Sequence, residues 1–186
     1  MSISLNTLGL RNANRVQSVV ITKKELTGLS LCLFDQAIDG RFSRYEFIIT
    51  GLKVSVNLAV LRAQLSNDFG NSWLSTNYLT SYIAVFYAGA SGVSPPSNFI
   101  TISGADGIRN DTASYGNNGS LTLWNPSTNI NKNYHSRFIN YYPGGNFALI
   151  MASGTQTTST LPINAIRFFP SSGTFTGGNI EMIGYY

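Results

Sequence analysis

The sequence predicts an all-β chain, folded as a two-sheet antiparallel β-sandwich of jelly-roll type, and three observations carry that expectation. Apolar residues recur at every second position in short runs, as in Tyr45, Phe47, Ile49 and again in Leu121, Leu123, which is the period of a half-buried strand. Clusters of Gly, Asn, Asp, Ser and Pro separate those runs and supply turns. No segment keeps a helical period, and about ten short strands in a chain of this length fold most economically as two packed sheets.

Taken in order, residues 1–15 are polar with scattered Leu5, Leu8 and Leu10. They hold no period and read as an irregular N-terminal arm, leaving residues 16–186 as a single domain. A segment of this kind frays unless something ties it down, and a neighbouring subunit or partner is the natural anchor. Residues 16–21 and 29–34 read as strands, with a turn through Lys23-Lys24-Glu25-Leu26-Thr27-Gly28 between them. Residues 44–50 form a strand that breaks at Gly51, and Val54, Val56, Leu58 and Val60 give a second alternating run. In 79–87, Tyr82, Ala84 and Phe86 alternate with Ile83, Val85 and Tyr87. Both faces of that strand are apolar, which predicts burial on two sides or a subunit interface. Further strands are expected at 99–102, 120–124, 136–142, 147–152, 163–169 and 180–186, with loops at 88–98, 104–119 and 153–160.

Between the run that ends at Val60 and the strand 79–87 lies Ser66-Asn67-Asp68-Phe69-Gly70-Asn71-Ser72-Trp73, which matches the Asp-box pattern S-x-D-x-G-x-[S/T]-W at every fixed position. Asp68 is placed to accept backbone N–H groups around the turn. Gly70 supplies positive φ, and Trp73 packs back across a hairpin. Ser66, Asp68, Gly70, Ser72 and Trp73 are thus expected to be a folding device. The box occurs once, in a chain too short for a propeller built from blades of roughly 40 residues.

Composition bounds the function. At 186 residues the chain buries a core without disulfides or metals. Charged residues make up 11% and aromatics 12%, the reverse of a disordered composition. The net charge of +4 comes from the first 62 residues, with eight basic against four acidic, since the remainder holds four of each. So thin a spread argues against direct nucleic-acid binding. It points to a protein-docking N-terminal region in which Arg11 and Arg15 make contacts. The one cysteine, Cys32, lies in an apolar run and is expected to be a small buried residue. No 18-residue apolar stretch and no signal-peptide pattern appear, so the expectation is a soluble cytoplasmic product with no membrane partner. The sequons at Asn110 and Asn118 are expected by chance in so Asn-rich a chain.

The residues for chemistry are sparse. His135 sits in a polar stretch expected to be a surface loop, and one His with one Cys is too few soft ligands for zinc. No nucleophile-elbow sequence is present. Of eight acids, Asp68 is explained by its turn. Asp106 and Asp111 share a Gly-rich loop without EF-hand spacing, and Gly104-Ala105-Asp106-Gly107 lacks the Lys and helix of a phosphate loop. The expectation is no catalytic residue, no cofactor and no metal. Tyr134, Tyr141, Tyr142, Trp124, Tyr185 and Tyr186 lie at strand ends or beside Pro and Gly, where rings stack on sugars or enter a partner. Tyr134, Tyr141 and Tyr142 are the candidates for partner or glycan contacts.

The order of these features resembles a family. A tyrosine-led strand from 44 to 50, the Asp box, the G-x-L-x-L-x-N-P strand from Gly119 to Pro126, and the glycine-punctuated ending from Ile163 to Gly184 resemble the β-sandwich domains of tailed-bacteriophage virion proteins, such as head-decoration and tail-fibre domains. The likeness covers about residues 44–186, and Ser72 stands where typical members carry Thr. It implies a non-enzymatic structural protein at the virion surface, assembled as a homotrimer, with other virion proteins of the capsid or tail as partners. Without a heptad shaft or repeat, the reading favours a protein that decorates or cements the capsid. The alternative is a tail-associated receptor-binding domain that recognises glycans.

Overall fold

The computed structural model describes residues 17–86, 89–91, 96–105, 107–110, 116–142 and 146–186. The predicted arm with Arg11 and Arg15, and the loop acids Asp106 and Asp111, lie outside the described residues. The described residues form twelve strands: β1 (Ser18–Glu25), β2 (Cys32–Phe34), β3 (Arg44–Val54), β4 (Leu61–Ser66), β5 (Tyr78–Phe86), β6 (Gly89–Ser91), β7 (Ile100–Thr101), β8 (Asn117–Trp124), β9 (Lys132–Tyr142), β10 (Asn146–Gln156), β11 (Ala165–Pro170) and β12 (Phe175–Tyr185). Among the described residues there is no helix, so none is long and apolar enough to cross a membrane.

The strands form two antiparallel sheets, one of eight in the order β1-β12-β3-β8-β9-β10-β5-β6 and one of four in the order β2-β11-β4-β7. Four pairings nest: β1 with β12, β2 with β11, β3 with β8, and β4 with β7. Successive nested pairs alternate between the sheets, which is the wrapped-ribbon connectivity of a jelly roll. Two insertions enlarge it. The β9–β10 hairpin, between β8 and β11, and the β5–β6 hairpin, between β4 and β7, lie side by side and extend the larger sheet at one edge.

The core sits between the sheets and follows from strand alternation. Tyr45, Phe47 and Ile49 of β3, with Leu121 and Leu123 of β8, face Phe34 of β2, Ala63 and Leu65 of β4, and Ile166 and Phe168 of β11; all are buried. Phe34, Phe47 and Phe168 pack as an aromatic triad with ring centroids 5.2 to 6.0 Å apart, tying β3 of one sheet to β2 and β11 of the other. The added strands are roofed by the segment after β7, where Ile102 and Ile108 are fully buried and Asn140 Nδ2 donates to Ser103 O.

Several predicted boundaries are corrected. β3 passes through Gly51 in a bulge instead of ending there. Three glycines explain how: Gly51, Gly116 and Gly178 meet backbone to backbone with positive φ, and a Cβ on Gly116 or Gly178 would lie 2.7 or 2.8 Å from Gly51. Val56 and Leu58 belong to an exposed turn, where Leu58 has a φ of 64°. The Lys23 and Lys24 turn is instead the end of β1, an edge strand whose charges guard an open edge. β10 runs on to Gln156 because pairing with β5 on one side and β9 on the other overrides the low strand preference of its Gly and Ser.

Candidate functional site

The Asp box closes around Ser66 and Asp68. Ser66 Oγ accepts the N–H groups of Asp68 (3.2 Å) and Gly70 (2.9 Å), and donates to Asp68 Oδ1 at 2.7 Å. Asp68 also accepts the Ser72 N–H at 2.9 Å and the Ser72 hydroxyl at 2.5 Å. These donors, the Ser72 hydroxyl first and the Ser66 hydroxyl second, pull its carboxyl down to about 2. Gly70 has a φ of 85°, and an added Cβ would touch the Trp73 ring at 3.4 Å. The five box residues thus act as one local unit, and both carboxylate oxygens of Asp68 are committed to it. The box is not a hairpin, however. It leads from β4 in the smaller sheet to β5 in the larger, a corner pinned by Asn164, whose Oδ1 accepts the Phe69 N–H at 2.7 Å.

Other reactive side chains are also accounted for by their surroundings. Burial pushes the Cys32 thiol up to about 11, against the lowering charge of Lys24, so it is a poor nucleophile. Lys132 is buried and its Nζ donates to Thr128 O, to Ile130 O at 2.7 Å and to Thr160 O at 3.2 Å. It clamps a turn that its sequence context did not reveal. His135 is a β9 residue, not a loop residue, and stands between Thr122 of β8 and Ser153 of β10. Among the described residues no three of His, Cys, Asp and Glu cluster.

The outer face of the larger sheet carries the surface that stands out. In an antiparallel sheet with one face in the core, the other is ordinarily polar. Here the register sets Val85, Leu149 and Ile139 in one row across β5, β10 and β9, with Ile83 and Met151 in the next and Phe147 beside Tyr141 in the row before. Ile83 is 45%, Val85 42%, Ile139 40%, Met151 39% and Phe147 57% exposed. Together they present an apolar patch on the order of a few hundred Å², in the range that on a monomer is often functional; exposed Leu79 lies beyond the polar Ser81–Ser153 row. Arg137, opposite Met151, is the charged residue within it. The patch lies on the strands added to the jelly roll.

Farther along the same face, Tyr185, Arg44 and Trp124 form a row across β12, β3 and β8. The Arg44 guanidinium lies 3.8 Å from the Tyr185 ring centroid and 5.2 Å from that of Trp124, and the Tyr185 hydroxyl donates to Glu46 Oε2 at 2.9 Å.

Of the predicted contact residues, the structure brings one to the patch. Tyr141 is half-buried at its edge, with its N–H donated to Asn117 Oδ1 at 3.2 Å. Tyr134 is corrected: it is buried, its hydroxyl lies 2.7 Å from Thr80 Oγ1, and burial pushes it up to about 12. Gly154 opposite makes room, since a Cβ there would lie 2.5 Å from the Tyr134 hydroxyl. Tyr142 ends β9, with its side chain outside the described residues. The apolar alternation of 79–87 signalled half of the patch; Phe147, Leu149 and Met151 needed the register of β10 as well. A comparison with protein-family models, curated proteins and solved structures finds no significant match.

Proposed function

We propose that this chain is a non-enzymatic structural protein of a bacteriophage virion, which decorates or cements the capsid surface and assembles with copies of itself through the outer face of β5, β9 and β10. One observation carries the assembly: the strands that enlarge the jelly roll turn a nearly uncharged apolar patch to solvent, and closed symmetry would bury it. A patch of this size supplies the apolar part of a standard interface of roughly 800 Å² per partner. The virion setting rests on the order of motifs from residue 44 onward, and a trimer is what that resemblance implies. The non-enzymatic reading is supported by the commitment of Asp68, Cys32 and Lys132 to structural roles.

The test is imaging of particles that carry the tagged protein, with a parallel chain lacking residues 1–15. The proposal expects label over the head for the full chain and little for the truncated one, with both forms at the same oligomeric state. Label confined to the tail tip would replace it with the receptor-binding reading, which exposed Trp124 beside Arg44 and Tyr185 favours as a stacking surface for sugars. Turnover of a host polysaccharide by the purified chain would overturn the non-enzymatic role.

A further inference from the structure

The outer face of the four-stranded sheet carries a different chemistry. Its central strands, β4 and β11, turn Arg62, Gln64, Arg167 and Phe169 outward, with Arg167 opposite Gln64 and Phe169 opposite Arg62. The two arginines are diagonal neighbours, a relation that spans roughly 7–8 Å. Each guanidinium lies over aromatic rings: Arg62 is 3.9 Å from the Phe99 centroid, and Arg167 is 4.5 Å from Trp73 and 5.4 Å from Phe169. Gln64 Oε1 accepts Nε and Nη2 of Arg167 at 3.0 and 2.5 Å, while its own Nε2 donates to Asn98 O at 2.7 Å. The rings and the glutamine fix the plane of Arg167 and, among the described residues, leave the Nη1 side of its fork uncommitted.

Among the described residues neither positive charge has a counter-charge. Arg62 Nε is buried with no hydrogen-bond partner, and neither arginine is in an ion pair among the described residues. Asp35, the residue after β2, pairs with neither. Burial pulls both guanidinium groups below their usual value, yet an arginine stays charged at neutral pH. Half-buried charge is ordinarily paired, because its lost hydration must be replaced.

We infer that this face docks the carboxylates of an acidic segment of a protein partner, with Arg62 and Arg167 as the receiving pair. Planar forks held flat on rings suit bidentate carboxylates. A nucleic-acid strand would need a longer basic track. None is present on this face among the described residues: Lys23 and Lys24 lie on β1, Lys53 on β3, and Lys132 is tied down by carbonyls. The inference goes beyond the self-assembly proposed above and uses the opposite outer face, so either can fail alone.

The test uses the full chain with Trp124→Phe, so that Trp73 beneath Arg167 reports binding by fluorescence. Octaglutamate peptide is titrated, with octaglutamine, inorganic phosphate and an eight-nucleotide oligothymidylate as comparisons. Octaglutamate should bind in a salt-sensitive manner, and Arg62→Gln or Arg167→Gln should each weaken it about tenfold, with sedimentation unchanged. Lys at both positions keeps the charge but loses the fork, so a smaller, few-fold loss is expected. Equal binding by the Arg62→Gln, Arg167→Gln double variant would mean that the arginines only cover apolar surface, and would overturn the inference. Tighter binding of oligothymidylate, or of inorganic phosphate, would overturn the choice of a carboxylate partner. If the variants fail to fold, the Nε–H resonances of Arg62 and Arg167 in the unaltered chain decide: they must shift on adding octaglutamate, and their constancy would refute the site.

Discussion

Replacing Phe168 by Ala tests the register that places every surface described above. Phe168 is fully buried, and its ring packs against Phe34 of its own sheet at 6.0 Å and, across the gap between the sheets, against Phe47 at 5.2 Å. Truncation of a buried Phe costs about 3–5 kcal/mol, from lost transfer energy plus the cavity left between sheets that collapse only partly. Taking about 4 kcal/mol, and about 2–4 °C per kcal/mol for a domain of this size, the melting temperature should fall by about 8–16 °C. Phe169, the next residue, points outward under Arg167 and is only half-buried. Its replacement by Ala should cost about 1 kcal/mol. Circular dichroism melts of the two variants, with urea titrations to check that m is unchanged, give the comparison. A one-residue slip of β11 exchanges the two faces. A Phe169→Ala penalty equal to or larger than that of Phe168→Ala would therefore refute the register, and with it the outward placement of Arg62 and Arg167.

Further outcomes follow from single contacts. The folded-state carboxyl of Asp68 titrates at about 2 against 3.8 for an ordinary aspartate, so its contribution is fully present above about pH 4 and is lost as pH falls through the folded value. Asp68→Asn should melt below the unaltered protein at pH 7, and the gap should narrow between pH 4 and pH 2; a constant gap would contradict the assigned hydrogen bonds. Lys132→Met keeps the length of the side chain but strands three carbonyls, so a loss of about 3 kcal/mol is expected in urea titrations. Gly178→Ala should cost about 3 kcal/mol, because a φ of 97° is combined with a Cβ contact of 2.8 Å to Gly51. Gly28→Ala, with a φ of 82° and open space around it, should cost only about 1 kcal/mol.

The sequence carried the class and architecture of the fold because both are written in local alternation. Tyr45, Phe47 and Ile49 announce their strand, and the spacing of turn residues limits each one. The local bonding of the Asp box was equally legible, since its positions lie within eight residues and bond mainly to one another, but its place at a corner between the sheets instead of in a hairpin was not. What could not be read was long-range. The bulge at Gly51 depends on Gly116 and Gly178, and the length of β10 depends on partners from 78 to 86 and from 132 to 142. Tyr134 reads as a contact ring at a strand end because the extent of β9 is not visible locally; in the strand its polar neighbours Asn133 and His135 face outward, while Tyr134 itself points inward against Tyr78. The arginine pair was invisible for the same reason. Arg62 and Arg167 are 105 positions apart, and only the pairing of β4 with β11 makes them neighbours.

Self-assembly through the apolar face is the claim on which the proposed function most depends, and analytical ultracentrifugation tests it most directly. The full chain should sediment as a closed oligomer whose population falls only on dilution. Ile83→Glu with Met151→Glu, two adjacent positions on neighbouring strands of the patch, should sediment as a monomer with an unchanged β-sheet circular dichroism spectrum. A monomeric full chain at every concentration, or an oligomer that survives both glutamates, would contradict the account.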